Sequence, residues 1–173
     1  MPKIMGVIIE WIVCICVLWG ISFLSTLLHE LGHAVGYMFS TGDRHWHIRV
    51  GSGKKLLETK ALSVKLLVLD GCFAPAEDRM DTKGKWIVTL SGGPVVSLAL
   101  AAALLLLRFG NASFSSGIFA AGAVEFFVNY ALYLNVFISV LSLLPMHCFF
   151  GEIKGMETDG LKILKTMRRG EEP

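Results

Sequence analysis

The sequence predicts an α-helical integral membrane protein with three transmembrane helices, a small β-element between the first and second, and a short C-terminal amphipathic helix. Three observations predict it. Apolar residues make up 54% of the chain and charged ones only 17%, at a mean hydropathy of +0.62, a balance foreign to soluble domains. Three apolar runs are each long enough to cross a bilayer. The basic residues are gathered in the segments on one side of those runs.

The first run, Ile4 to Leu28, holds one acidic side chain, Glu10, and no basic one. Its helix is expected to continue to about residue 39. A cleaved signal peptide would have a shorter apolar core and a small-residue cleavage site. The second run covers about 86–107 and the third about 117–145, enough for one tilted helix. No soluble domain is left over, so 1–173 reads as one membrane-embedded domain. With three crossings, residues 40–85 and the C-terminal segment 146–173 share a side. That side holds nine Lys/Arg from Arg44 to Lys85 and five from Lys154 to Arg169, against Lys3 and Arg108 on the other. Such a bias places the basic side in the cytoplasm. The expected location is a bacterial cell membrane, crossed several times. The lipid bilayer is the first partner, with basic residues meeting anionic headgroups rather than nucleic acid. Four cysteines show no disulfide pattern, and Cys72 and Cys148 fall on the reducing side.

At the end of the first run stands TLLHELGHAVGY, Thr26 to Tyr37. His29 and His33, four apart, point to one side of a helix and can share a metal ion. Glu30 stands next to the first of them, where a general base would take a proton from a metal-activated water. With 5 histidines in the chain, chance yields on the order of 0.007 HExxH matches. Two neutral imidazoles leave positions for a third ligand and a water.

Arg44 to Val50 alternates apolar and polar, as does Leu62 to Leu66. Gly51-Ser52-Gly53 and Asp70-Gly71 read as turns. The β-element is thus expected at about 44–70, on the cytoplasmic side. His45 and His47 lie on its solvated face. The second span opens with SGGPVVS, and Gly93, Ser97 and Ala101 form a small-residue stripe matching Gly32 and Gly36 on the first helix. The expected result is close packing of the two helices. On the third span Glu125, Asn129, Asn135, Ser139 and Ser142 fall within about 140° of arc, a polar face that belongs toward the bundle interior or a water-filled cavity. Beyond Pro145, Asp159-Gly160 introduces a short helix with Leu161, Ile163, Leu164 and Met167 on its apolar face. Asp159 reads either as its N-cap or as the third metal ligand. A divalent ion with one ligating carboxylate and Glu30 sums to zero charge, which suits an apolar surrounding. Glu152 and Glu157 compete with Asp159 for that role, and Cys148 beside His147 is a further donor.

HELGH at the end of a span, a GGP-bearing second span, and Pro followed by Asp-Gly after the third together resemble the site-2 protease family of intramembrane zinc metalloproteases. The resemblance covers nearly the whole chain, as a minimal three-span core. It implies Zn²⁺ as cofactor, His29, His33 and Asp159 as its ligands, and Glu30 as catalytic base. It further implies peptide-bond hydrolysis in or near transmembrane segments of membrane proteins or leader peptides, near the cytoplasmic face. Two departures stand out. Ser142-Leu143-Leu144-Pro145 replaces the family's Asn-containing stretch, so the group contacting substrate or oxyanion would be Ser142 or Asn135. Thirteen residues separate Pro145 from Asp159. The alternatives are a zinc-containing membrane scaffold without catalysis and a metal transporter, which usually needs internal repeats that this chain lacks. The substrate, a regulatory membrane partner and an oligomer are left open.

Overall fold

The structure, a computed structural model, describes residues 2–110, 121–149 and 151–168. Its elements are α1 (Pro2–Thr41), β1 (Trp46–Glu58), β2 (Leu62–Pro75), α2 (Lys83–Gly110), α3 (Ala121–Leu143) and α4 (Asp159–Arg168). Among the described residues, three helices are long and apolar enough to cross a membrane: Ile4–Thr41, Lys83–Phe109 and Gly122–Leu143. Residues 117–120 of the expected third span lie outside the described residues, and its helix stops at Leu143, two residues before Pro145. The residue preceding a proline is sterically pushed out of the helical region.

α1 runs 40 residues without a break, about 60 Å at 1.5 Å per residue. Gly42, in the left-handed region at φ 75°, ends it by donating its N–H to the Met38 carbonyl at 2.9 Å. α2 packs against α1 backbone to backbone. A β-carbon on Gly32 would overlap the Gly92 backbone, and one on Gly36 the Val88 backbone. α3 joins through polar contacts: Ser22 with the Tyr130 hydroxyl at 2.7 Å, Asn135 to Ser25 at 3.0 Å, and Ser139 to the Pro94 carbonyl at 3.2 Å. The expected polar arc of this helix is split. Asn135 and Ser139 are buried, whereas Glu125 is exposed.

The β-element is longer than 44–70 and its glycines do a different job. β1 and β2 form one two-stranded sheet, with Trp46 opposite Pro75, Val50 opposite Gly71, and Glu58 opposite Ser63. Thr59 and Leu62 close the turn between them. Gly51 and Gly53, at φ 84° and 82°, lie inside β1 where the register shifts, so they bend the strand rather than end it. β2 runs through Asp70-Gly71 to Pro75 because Arg49 holds Asp70 from the neighbouring strand at 3.2 Å.

Nor does the sheet sit beyond the helix ends. Ile48 and Val50 pack on Ala34, with Phe23, Leu27 and Leu31 around them, and the Trp19 indole donates to the Leu66 carbonyl at 2.7 Å. Trp19 is about 15 Å along α1 from His29. The sheet therefore lies along the bundle, and Leu56, Leu57, Leu66, Leu67 and Leu69 remain exposed on it.

Candidate metal centre

One turn of α1 brings His29 and His33 together, their Nε2 atoms 3.3 Å apart. The Oδ2 of Asp159 lies 3.3 Å from His33 Nε2 and 3.9 Å from His29 Nε2. Ligand atoms on a tetrahedral ion with bonds of about 2.0–2.1 Å stand roughly 3.3 Å apart, so this triangle fits a divalent cation. The space for it is set by Gly93, where a β-carbon would lie 2.7 Å from His29 Nε2 and closer still to that of His33. His29, His33 and Asp159 are the group able to hold a metal ion among the described residues.

The remaining ring nitrogens are also held. His33 Nδ1 meets the Thr89 carbonyl at 2.9 Å. A carbonyl only accepts, so Nδ1 carries a proton, and when the ring is neutral Nε2 is the nitrogen that can bind an ion. His29 Nδ1 meets the Ser97 hydroxyl at 2.9 Å, and Ser97 is fully buried. The small-residue stripe of α2 thus does more than pack: its Gly93 and Ser97 face the imidazoles, while Val88 and Gly92 meet α1.

Asp159 is delivered by the first turn of α4. The N-cap is Thr158, whose hydroxyl accepts the Leu161 N–H at 3.4 Å and donates to the carbonyls of Leu144 and Met146. Gly160 lets this turn press on the end of α3, since a β-carbon there would overlap the Leu143 carbonyl. Burial alone would raise the Asp159 carboxyl, but the facing imidazoles of His29 and His33 hold it well below the usual carboxylate range. The competing carboxylates are engaged elsewhere: Glu152 pairs with Lys65 at 2.5 Å, and Glu157 with Lys165. His45 pairs with Asp43 at 2.7 Å, and His47 meets the Lys60 carbonyl at 3.2 Å.

Glu30 is buried beside the triangle, with a backbone hydrogen bond from Phe73. Gly71 makes room for it, because a β-carbon there would overlap its carboxylate. A cavity of about 500 Å³ opens on these groups. Val68 to Phe73 of β2 form one of its walls, and Leu134, Phe137, Ile138 and Leu141 of α3 another. Ser142 lines it, with its hydroxyl toward the Ser139 carbonyl at 3.4 Å, and Cys148 lines it too. Asn135 does not. Its amide nitrogen is spent on Ser25 and on the Ala131 carbonyl, and its Oδ1 is buried without a partner among the described residues.

Sequence reasoning missed Thr89, Ser97, Phe73 and Thr158. A β-hydroxyl residue just before Asp-Gly is an N-cap signal that could have found Thr158. No local pattern announces the other three. The chain matches no protein-family model, no curated protein and no solved structure.

Proposed function

We propose that this chain is an intramembrane zinc metalloprotease of the kind its motifs resemble, hydrolysing peptide bonds in or near membrane-spanning segments. One observation carries the reading: two imidazoles and one carboxylate converge from α1 and α4 with a fourth side open, beside a buried Glu30 that is not part of the triangle. Three protein ligands and an open position are the mark of a catalytic rather than a structural zinc site.

A bound zinc ion would polarise the scissile carbonyl and acidify the attacking water. Glu30 takes the proton of that water and returns it to the leaving amine. The Thr89 carbonyl holds His33 in the tautomer that binds, and Ser97 holds the His29 ring by its Nδ1. The wall formed by Val68 to Phe73 offers a strand edge to a substrate segment unwound from its helix. The apolar residues of α3 face it across the cavity, and Ser142 is the hydroxyl there for substrate or oxyanion.

The helices lie in a membrane, with the 42–82 connection leaving α1 and entering α2 on the cytoplasmic side, the side to which the segments holding 14 of the 16 Lys and Arg belong under this topology. α2 turns apolar at Trp86, and Gly93, against the histidines, lies about 10 Å further in. The cavity gives water a path to that depth. The test is co-expression of the intact chain or its Glu30→Gln form with single-span membrane proteins, with metal content measured on both. Cleavage by the intact chain alone, with zinc in both forms, is the expected result. Zinc in both with cleavage in neither would make the chain a metal-holding scaffold, and undiminished turnover by Glu30→Gln would remove the mechanism.

A further inference from the structure

The connection between Pro145 and Asp159 contains a segment, Gly151–Thr158, whose Glu152 end is bonded to the sheet beside the cavity. Its N-terminal end is tied to the sheet through Glu152. That carboxylate accepts the Gly53 N–H at 3.2 Å and pairs with Lys65 at 2.5 Å, with Arg49 at 3.8 Å. The Glu152 N–H donates to Asp70 Oδ2 at 3.1 Å, the oxygen that Arg49 also contacts. Gly151, at φ 68°, is pressed so close that a β-carbon would sit 2.8 Å from the Asp70 carboxylate. Asp70 lies in the middle of the 68–73 wall. The other end is paired with 146–148: the Cys148 N–H donates to the Met156 carbonyl at 2.8 Å, the Gly155 N–H to the Cys148 carbonyl at 2.7 Å, and the buried Thr158 is bonded to Leu144 and Met146. Between the two, Gly155 at φ 86° supplies a bend, and Ile153 and Met156 line the cavity.

We propose that Gly151–Thr158 is a strap that closes the substrate edge of the site, latched by Glu152 and hinged where 155–158 pairs with 146–148. The proposal rests on the protease reading, because the edge it covers is the one assigned there to the substrate. The two attachments differ in strength. The Glu152 side chain is 40% exposed, and ion pairs so open to solvent hold little. The closed state also leaves Asp70 Oδ1 buried without a partner among the described residues, an incompletely satisfied carboxylate that weakens it. The pairing with 146–148 and the buried Thr158 stay in place, so opening at Glu152 frees the edge without carrying Asp159 away. An extended segment pairing with 68–73 competes for the Asp70 region with the strap, and only a segment that offers backbone N–H groups there replaces what the strap gives up. The strap thus makes access depend on the presence of an extended chain.

The test uses the full chain carrying Glu30→Gln, so that binding is read without cleavage. The four native cysteines are replaced by serine, and Lys65→Cys and Glu152→Cys are added for bridging with a reducible bis-thiosulfonate. The probe is fluorescein-labelled reduced casein, an unfolded chain that needs no unwinding, followed by anisotropy. Bridging is expected to weaken binding at least tenfold, and reduction to restore it. Glu152→Gln with the native thiols is expected to bind the probe several-fold more tightly, since fewer molecules are closed. Equal binding in bridged and reduced forms, absence of binding in both, or no tightening in Glu152→Gln overturns the strap. Failure of the protease reading alone would look different: gated binding of casein, with no cleavage by the chain that keeps Glu30.

Discussion

Gly93 and Ser97 share a helix face four residues apart, and they serve the imidazoles in different ways. Gly93 leaves the volume in which two ring nitrogens and a carboxylate converge, and Ser97 fixes the orientation of His29 through Nδ1. Partners of this kind are typically worth 10–100-fold in metal affinity, about 1.4–2.7 kcal/mol. Ser97→Ala is therefore expected to weaken zinc binding by that factor while leaving the fold intact, because the change removes a single atom. Competition with a chromophoric chelator would measure it. Ser97→Thr, which keeps the hydroxyl, should recover part of the affinity, a rescue that a purely packing residue would not give. The sequence shows this face only as a run of small side chains. Spacing tells that a neighbour comes close, not that the neighbour is an imidazole. His29, Glu30 and His33 were legible because one turn of a single helix brings them together. Asp159 was legible only as one of three carboxylates, since its selection depends on Thr158 capping α4 and on Gly160 pressing against Leu143.

Among the elements, the helices follow from their apolar runs, and the sheet departs from its reading for one physical reason. A glycine at positive φ serves a turn and a strand bend equally well, so Gly51 and Gly53 cannot announce which they make. The outcome is decided across the sheet, by Arg49 reaching Asp70, and this pairing is invisible to local pattern. The connection from α1 to β1 is held by another carboxylate. Asp43 accepts from the Tyr37 hydroxyl at 2.9 Å and from the His45 N–H at 3.1 Å, and pairs with the His45 ring. The His45 ring beside it, with these donors, holds the carboxyl down at about 2, against about 3.9 for a free aspartate. A depressed carboxyl stabilises the fold above its unfolded value, and that stabilisation is lost as the pH falls from about 4 to 2. Asp43→Asn should thus be less stable than the parent at neutral pH and converge on it below pH 2. Thermal unfolding in detergent, with chelator present so that the metal site contributes nothing, would show it. A constant difference from pH 5 to 2 would mean that Asp43 acts through its shape and not its charge.

Across the whole molecule, the metal triangle joins the first helix to the last. α4 has no buried residue of its own. It is held by the Thr158 cap, by the contact of Gly160 with Leu143, by Lys83 reaching the Met167 carbonyl at 3.4 Å, and by Asp159 at the histidines. The α1–α2 crossing, by contrast, rests on backbone contact at Gly32 and Gly36 and needs no ion. An ion bound only by the folded chain stabilises it by about 2.7 kcal/mol at a free concentration one hundred times its Kd. That contribution should be spent mainly on keeping α4 docked. Chelation is then expected to speed amide hydrogen exchange across 159–168 and to leave the amides of α1 and α2 at their crossing nearly as protected as before. Asp159→Asn should exchange fast in α4 with or without zinc, because the link is gone in both cases. Unchanged protection of α4 on chelation would mean that the cap and the Gly160 contact suffice to hold it, and the triangle would then be a consequence of the fold rather than one of its supports.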